Sequence, residues 1–405
     1  MLNRRSFFNG IAALGMVFLL SGCNRTRPAL KILLLANSIP SQSISKFRKS
    51  LTQKTALSFK AEAQLQQLYD FLEDWREQGK EAQEEPSWID PLIGFLPFVR
   101  QRTPKQTNLI TLGHSWLSQA IQNRVIQPLN PDNFSQWKNL PSSWQDLVRR
   151  NSKGQLDPSG EVWGAPYRWG TTAIAYNRDK FKALDWELTD WSDLWRPELR
   201  DRVSIIDRPR EVIGLTLKKL GYSYNEENLS KIANLKSELR SLHQQIKFYS
   251  STHYLQPLIL EDVWVAVGWS ADILSLQEQY PNIDAIIPQS GTALWADLWV
   301  EPSRKNAPSS EAKINTQPSL ENQWIDFCWR EETALQIALF TPASSPIILG
   351  MNRANLLETL QNDPLRLPNA EIIAKSDFIE PLSKEIEKQY RDLWKTIMPN
   401  VDSEL

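Results

Sequence analysis

Apolar residues along this chain fall into short continuous runs and into stretches where they recur every three or four positions. Lys31–Ala36, Leu109–Leu112, Val203–Ile206, Val263–Trp269, Ala285–Pro288 and Ala293–Val300 are the runs, each about as long as a buried strand. Helical spacing marks Ser43–Leu51, Gln64–Gln78 (Leu65, Leu68, Tyr69, Leu72, Trp75), Trp116–Arg124 and Pro209–Leu220. The last starts with a proline, which has no amide donor to lose, and is followed by Gly221, which is free to turn left-handed. Val162–Tyr176 is strand-rich and punctuated by Gly164, Pro166 and Gly170, and a helix begins at Ala271 directly after Trp269. Gly79–Pro86 reads as an acidic loop. Beyond Val300 the chain is mostly helical, with breaks at Asn306–Pro318 and Thr341–Pro346. Strands alternating with helices predict an α/β architecture rich in parallel pairing, with ligands held beyond the carboxyl ends of the strands.

The N-terminus carries an address. Arg4 and Arg5 precede a stretch from Ser6 to Gly22 with no charged residue, whose apolar centre, Ile11–Leu20, suits a signal peptide and is short for a spanning helix. It ends in Leu20-Ser21-Gly22-Cys23, which resembles the lipoprotein box of bacteria, where the cysteine is acylated and becomes the new N-terminus. The expected layout is a signal peptide over 1–22 and a lipidated tether over 23–30. Arg4-Arg5 followed by Phe7 also fits a twin-arginine signal, so Sec and twin-arginine export both stay open. Loss of the leader leaves 44 basic against 47 acidic side chains, a net charge of −3. With Cys23 acylated, Cys328 is left without a disulfide partner and is expected to be a buried structural thiol.

The composition narrows the function. A chain of 405 residues holds two or three domains and enough core to fold without disulfide or metal staples. A formal net charge of −1 disfavours a nucleic-acid binder, and three histidines with two cysteines leave little for a metal or redox site. No nucleophile elbow, HExxH, Walker loop or dinucleotide fingerprint occurs, so no cofactor or metal is expected, and a binder is expected rather than an enzyme. The 17 tryptophans, more than the 14 phenylalanines, ask for either structural bulk or a site built from large flat rings.

One strand offers such a site. In Ala293–Val300, alternation points Trp295, Asp297 and Trp299 to one face and Leu294, Ala296, Leu298 and Val300 to the other. A carboxylate between indoles suits a cationic amine, which gains an ion-paired hydrogen bond and cation–π attraction; two core tryptophans flanking a solvated aspartate is the plainer alternative. Trp269 sits at a strand end where α/β sheets hold ligands, or plugs the corner there. Glu211, in the first turn of its helix, is either a second carboxylate for the ligand or a complement to the helix dipole.

Several ordered motifs carry a resemblance. Val162–Asn177, Trp191-Ser192-Asp193-Leu194-Trp195, Pro209-Arg210-Glu211-Val212, Val267-Gly268-Trp269-Ser270 and Gly291–Pro302 together resemble the bacterial periplasmic spermidine/putrescine-binding proteins, over about Leu109–Pro302. The resemblance implies an α/β periplasmic binding protein of type II: two lobes joined by a hinge, a ligand cleft between them, and delivery of the solute to the permease of an ABC importer. Lobe 1 is expected over 31–168 and 293–345, and lobe 2 over 169–292 and 346–405. Trp269, Trp295, Asp297 and Glu211 fall on the family's polyamine-contacting positions, and Trp169 lies in its hinge strand. The family usually carries a further carboxylate where Arg208 stands, an aromatic-rich loop where Asn37-Ser38-Ile39-Pro40 stands, and tyrosines where Gly113-His114-Ser115-Trp116 stands. Ser115, Trp116 and Arg208 complete the candidate set, with Trp116 the ring available to replace a tyrosine. The implied protein is a periplasmic monomer, tethered to a membrane by lipid at Cys23 and free of nucleic acid. Two alternatives are an anionic or zwitterionic solute held by Arg168, Arg208 and Arg210, and an enzyme built on the same fold.

Overall fold

The computed structural model describes residues 29–84, 107–303 and 318–398. The leader 1–22, the lipidation candidate Cys23 and the tether up to residue 28 lie outside the described residues. The strands are β1 (Leu30–Leu35), β2 (Leu57–Glu62), β3 (Leu109–Gly113), β4 (Ile126–Gln127), β5 (Arg149–Arg150), β6 (Glu161–Val162), β7 (Ala165–Asn177), β8 (Val203–Ile205), β9 (Ile246–Tyr249), β10 (Val265–Trp269), β11 (Ile283–Ile286), β12 (Ala293–Pro302) and β13 (Asp377–Phe378). The main sheet runs β2-β1-β3-β12-β7-β10-β8-β9, with β4 and β13 added on β12 and β11 on β7; β5 and β6 pair separately.

Pairing is parallel in the wings, among β1, β2 and β3 and among β8, β9 and β10. It is antiparallel in the centre, where β12 runs against β3 and β7, and β10 and β11 run against β7. The alternation of strands and helices foretells the wings. The centre departs from it because β7 and β12 carry the chain back between the two halves, and a returning strand runs against its neighbours.

Burial divides the molecule into two lobes. One core gathers Leu30 to Trp169, Leu294 to Val300 and Trp324 to Leu367; the other gathers Ile174 to Ala293 with Tyr390, Trp394 and Ile397. A smaller cluster around Ala173, Ile273 and Ala285 lies beside the second. The chain passes from core to core along β7 between Trp169 and Ala173, and again at Ala293–Leu294. Near its end the chain leaves Leu360 and Leu367 of the first core, with Leu365 in the small cluster, and reaches Tyr390, Trp394 and Ile397 of the second. The apolar residues of Pro346–Gly350 fold back onto the first core after the helix Glu331–Phe340, and Leu356, Leu360 and Leu367 follow them there.

Local differences have local causes. The helix Leu65–Glu84 runs through part of the stretch that reads as a loop, because Lys80-Glu81-Ala82-Gln83-Glu84 are all strong helix formers. β2 escapes a search for apolar runs, since Leu57, Phe59 and Ala61 only alternate with polar residues. Most of the tryptophan surplus is bulk: Trp144, Trp169, Trp191, Trp299, Trp324, Trp329 and Trp394 are almost inaccessible. Cys328 is a buried free thiol.

Candidate functional site

Where β7 passes between the lobes it becomes the spine of the candidate site. Alternation puts Arg168, Gly170 and Thr172 on one face. Each lies beside one sequence-predicted residue or pair: Arg168 opposite Asp297, Gly170 opposite Trp295, and Thr172 opposite Trp269. The two strands flanking β7 come from different lobes, so this row gathers groups from both.

At the Thr172 end stands Glu211, at the third position of the helix Pro209–Lys219. The Thr172 hydroxyl donates to Glu211 Oε2 at 2.9 Å, and the Trp269 indole beside it also draws the carboxyl pKa down. Glu211 is buried, and burial raises its pKa to about 7, against the pull of Thr172, Trp269, Arg208 and Arg210. It thus does more than complement a helix dipole. Trp269 is half-buried at the end of β10.

Tyr254 fixes this corner. Its hydroxyl accepts the Trp269 backbone N–H at 3.1 Å and donates to Asp272 Oδ2 at 2.8 Å. Its ring packs so closely on Gly268 that a Cβ there would meet it at 1.9 Å. Burial raises the Asp272 pKa, while Tyr254 and the positive charge of Arg168 lower it. Thr172, Tyr254 and Asp272 were not singled out from sequence. Thr172 could have been found as the next residue but one after Gly170 on a strand already singled out, and Asp272 as a carboxylate in the first turn after Trp269.

The Arg168 end holds the finding that most changes the sequence-based picture. Arg168 Nε lies 2.7 Å from Asp297 Oδ2, with side-chain exposures of only 6% and 2%. Its guanidinium carbon lies 5.6 Å from the centroid of the Trp295 ring. The carboxylate that alternation placed between two indoles is therefore neither solvated nor open: it holds an internal cation. Burial pushes the Asp297 carboxyl up in pKa, and Arg168 pulls it back. The pairing depends on a bulge. Asp297 is opposite Arg168 while Leu298 is opposite Pro166, so Tyr167 is the extra residue. Tyr167 and Arg168 thereby share a face, Tyr167 stacking on Trp299 at 4.2 Å and Arg168 meeting Asp297.

Trp295 is half-buried and lies flat across Gly170, where a Cβ would meet its ring at 2.3 Å. Its indole donates to the Thr171 carbonyl at 3.2 Å, while the Thr171 N–H donates to Ser270 Oγ at 3.0 Å. Thr171 is thus gripped by β12 on one side and by the residue after β10 on the other. Trp299 is fully buried against Tyr167 and Trp324.

The remaining candidates lie off this row. Trp169 points to the opposite face of β7, 1% exposed and edge-on to Trp144, and packing accounts for it. Gly113 is opposite Asp297, so the turn His114–Trp116 starts beside the ion pair. Within it Ser115 is exposed, Trp116 stacks on Tyr69 at 5.8 Å, and buried His114 accepts the Ala296 N–H. Arg208 is exposed at the start of the Glu211 helix, and its charge lowers the Glu211 pKa. A cavity of about 670 Å³ lies elsewhere in the first lobe, between Lys138–Trp144 and Ile347–Met351, and no candidate residue lines it.

Comparisons with known proteins agree with this architecture. The model of a family described as bacterial extracellular solute-binding protein matches residues 107–376. A spermidine/putrescine-binding periplasmic protein of Escherichia coli strain K12 is 27% identical over 271 residues, covering 67% of this chain and 72% of that one. The fold is similar to that of a spermidine/putrescine ABC-transporter substrate-binding protein from Streptococcus pneumoniae, with a TM-score of 0.69 at 19% identity over 91% of this chain and 98% of that one. Thiaminase I from Bacillus thiaminolyticus shares the fold at a TM-score of 0.55 and 12% identity, over 91% of this chain and 98% of that one. The architecture is that of the type II periplasmic binding proteins, with two lobes.

Proposed function

Because the chain belongs to the family of bacterial extracellular solute-binding proteins, we propose that it binds a polyamine or related amine between its lobes and hands it to the permease of an ABC importer. The observation that carries the reading is Glu211, a buried carboxylate bonded by the Thr172 hydroxyl with the Trp269 indole beside it, where the chain passes between the two cores. A carboxylate beside an aromatic ring recognises an ammonium by charge-assisted hydrogen bonding and by the ring quadrupole. The names of the relatives point the same way. Trp269, Trp295, Asp297 and Glu211 are the proposed site, with Ser115 and Trp116 at its rim. In this reading the mature protein is a monomer held at a membrane surface in the periplasm by lipid on Cys23.

Thermal melts of the purified full-length chain with putrescine, spermidine and a panel of anions test the proposal. A ligand at about a hundred times its Kd adds roughly 2.7 kcal/mol to folded stability, a rise in Tm of several degrees. A rise with either amine supports the reading. If the amines leave Tm unmoved while an anion raises it, the solute is anionic and Arg168 and Arg208 become its contacts. Turnover of a bound solute would place the chain with the enzymes of this fold, a reading that the shared architecture of the thiaminase motivates.

A further inference from the structure

We propose that Arg168 is a built-in cation filling one of the two amine subsites of this cleft, so that the ligand carries a single ammonium group, held at Glu211 and Trp269, and presents a hydrogen-bond acceptor to Arg168. This rests on reading the cleft as an amine site and names the class of amine.

Asp297 and Trp295 form a carboxylate–indole set of the kind that receives an ammonium, and the guanidinium of Arg168 already meets both members. The pair is buried, so it is not one of the solvent-screened surface contacts that form and break freely. It is also built into the sheet, because Arg168 and Asp297 are opposite one another across β7 and β12. A guanidinium has five N–H donors; Nε makes the closest approach to Asp297, yet neither Nε nor Asp297 Oδ2 completes a hydrogen bond among the described residues. Among the described residues no hydrogen bond satisfies the terminal nitrogens of Arg168, although its side chain is only 6% exposed. These donors are left for an acceptor that comes from outside the chain.

The other end is the mirror image. Among the described residues no basic side chain forms an ion pair with Glu211, and its carboxylate faces the half-buried Trp269. Thr172, which holds Glu211, is four residues along the strand from Arg168, about 13 Å. That spacing suits a short extended molecule with an ammonium at one end and an acceptor at the other. The charged groups facing the row are Glu211, Asp272 and Asp297 with Arg168, Arg208 and Arg210; of these only Arg168 and Asp297 form an ion pair, while Arg208 and Arg210 act on Glu211 without pairing with it, so its carboxylate is the one left for an ammonium. A second ammonium would face the guanidinium at close range.

Calorimetric titration of the full-length chain with putrescine, N-acetylputrescine and 4-aminobutyrate tests the proposal. The first probe has two ammonium groups; the others have one, with a carbonyl or a carboxylate at the far end. At least one of the acceptor-bearing probes is expected to bind the natural chain tenfold or more tightly than putrescine does. In Arg168→Gln, which frees Asp297, that preference should shift toward putrescine by at least tenfold. Arg168→Gln/Asp297→Asn buries no lone charge and guards against misfolding of the single variant; it should lose the preference without gaining putrescine. Tighter binding of putrescine by the natural chain, or an unchanged preference in either variant, overturns the proposal while leaving the amine site standing. If neither these three probes nor spermidine binds the natural chain or either variant, the amine reading fails with it.

Discussion

Glu211 shows how much one buried side chain can do. With a pKa of about 7 in the folded protein against an ordinary 4.5, it keeps its proton over a range where the unfolded chain gives it up. Below about pH 4.5 the group is protonated in both states. As pH rises from there to 7 the unfolded state is favoured, and the loss of stability reaches about 3 kcal/mol, an order-of-magnitude figure. The ligand-free Tm should therefore carry a downward component from pH 5 to pH 8 that Glu211→Gln removes. Amine binding should run the other way, because only the ionised carboxylate pairs with an ammonium. Affinity should rise severalfold between pH 6 and pH 8, and the Gln variant should lose both the affinity and its pH dependence. Titrations at the two pH values check this, and a flat affinity would take Glu211 out of the site. At this scale the sequence was informative about residue types and silent about partners. Asp297 and Arg168 each stood out, yet what joins them is a bulge and a register between strands more than a hundred residues apart, which no local pattern records.

The strand β7 owes its role to one residue without a side chain. Gly170 lets the Trp295 ring lie on the backbone, and Gly170→Ala would drive a methyl into that ring. Overpacking of this kind costs about 1–3 kcal/mol. The variant is expected to melt several degrees lower and to weaken amine binding by displacing Trp295 from its bond to Thr171; an unchanged Tm and affinity would mean that the ring does not need this seat. Among elements, buried strands and proline-started helices were legible because runs and caps are local signals. β2 and the C-terminal part of the helix Leu65–Glu84 were not, the first because it alternates and the second because charge was read as loop where helix propensity governs.

Across the whole molecule, the two lobes follow from where apolar residues can gather. Pro346–Gly350, which follows the helix Glu331–Phe340, turns its isoleucines back to the first core, a return that no local pattern in the sequence records. The proposed tether makes a prediction at this scale: Cys23→Ala should move the protein from the membrane to the soluble fraction on cell fractionation, and a variant that still sediments with membranes would remove the lipid anchor. The double grip on Thr171 bears on the lobes themselves. Any rotation of one lobe against the other has its shortest lever arm at a peptide clasped from both sides. Polar groups along Arg168–Thr172 would sweep through small arcs while the outer rims of the cleft travel far. On the proposed reading, the groups that recognise the amine stand at the fulcrum, and gating would fall to the rims.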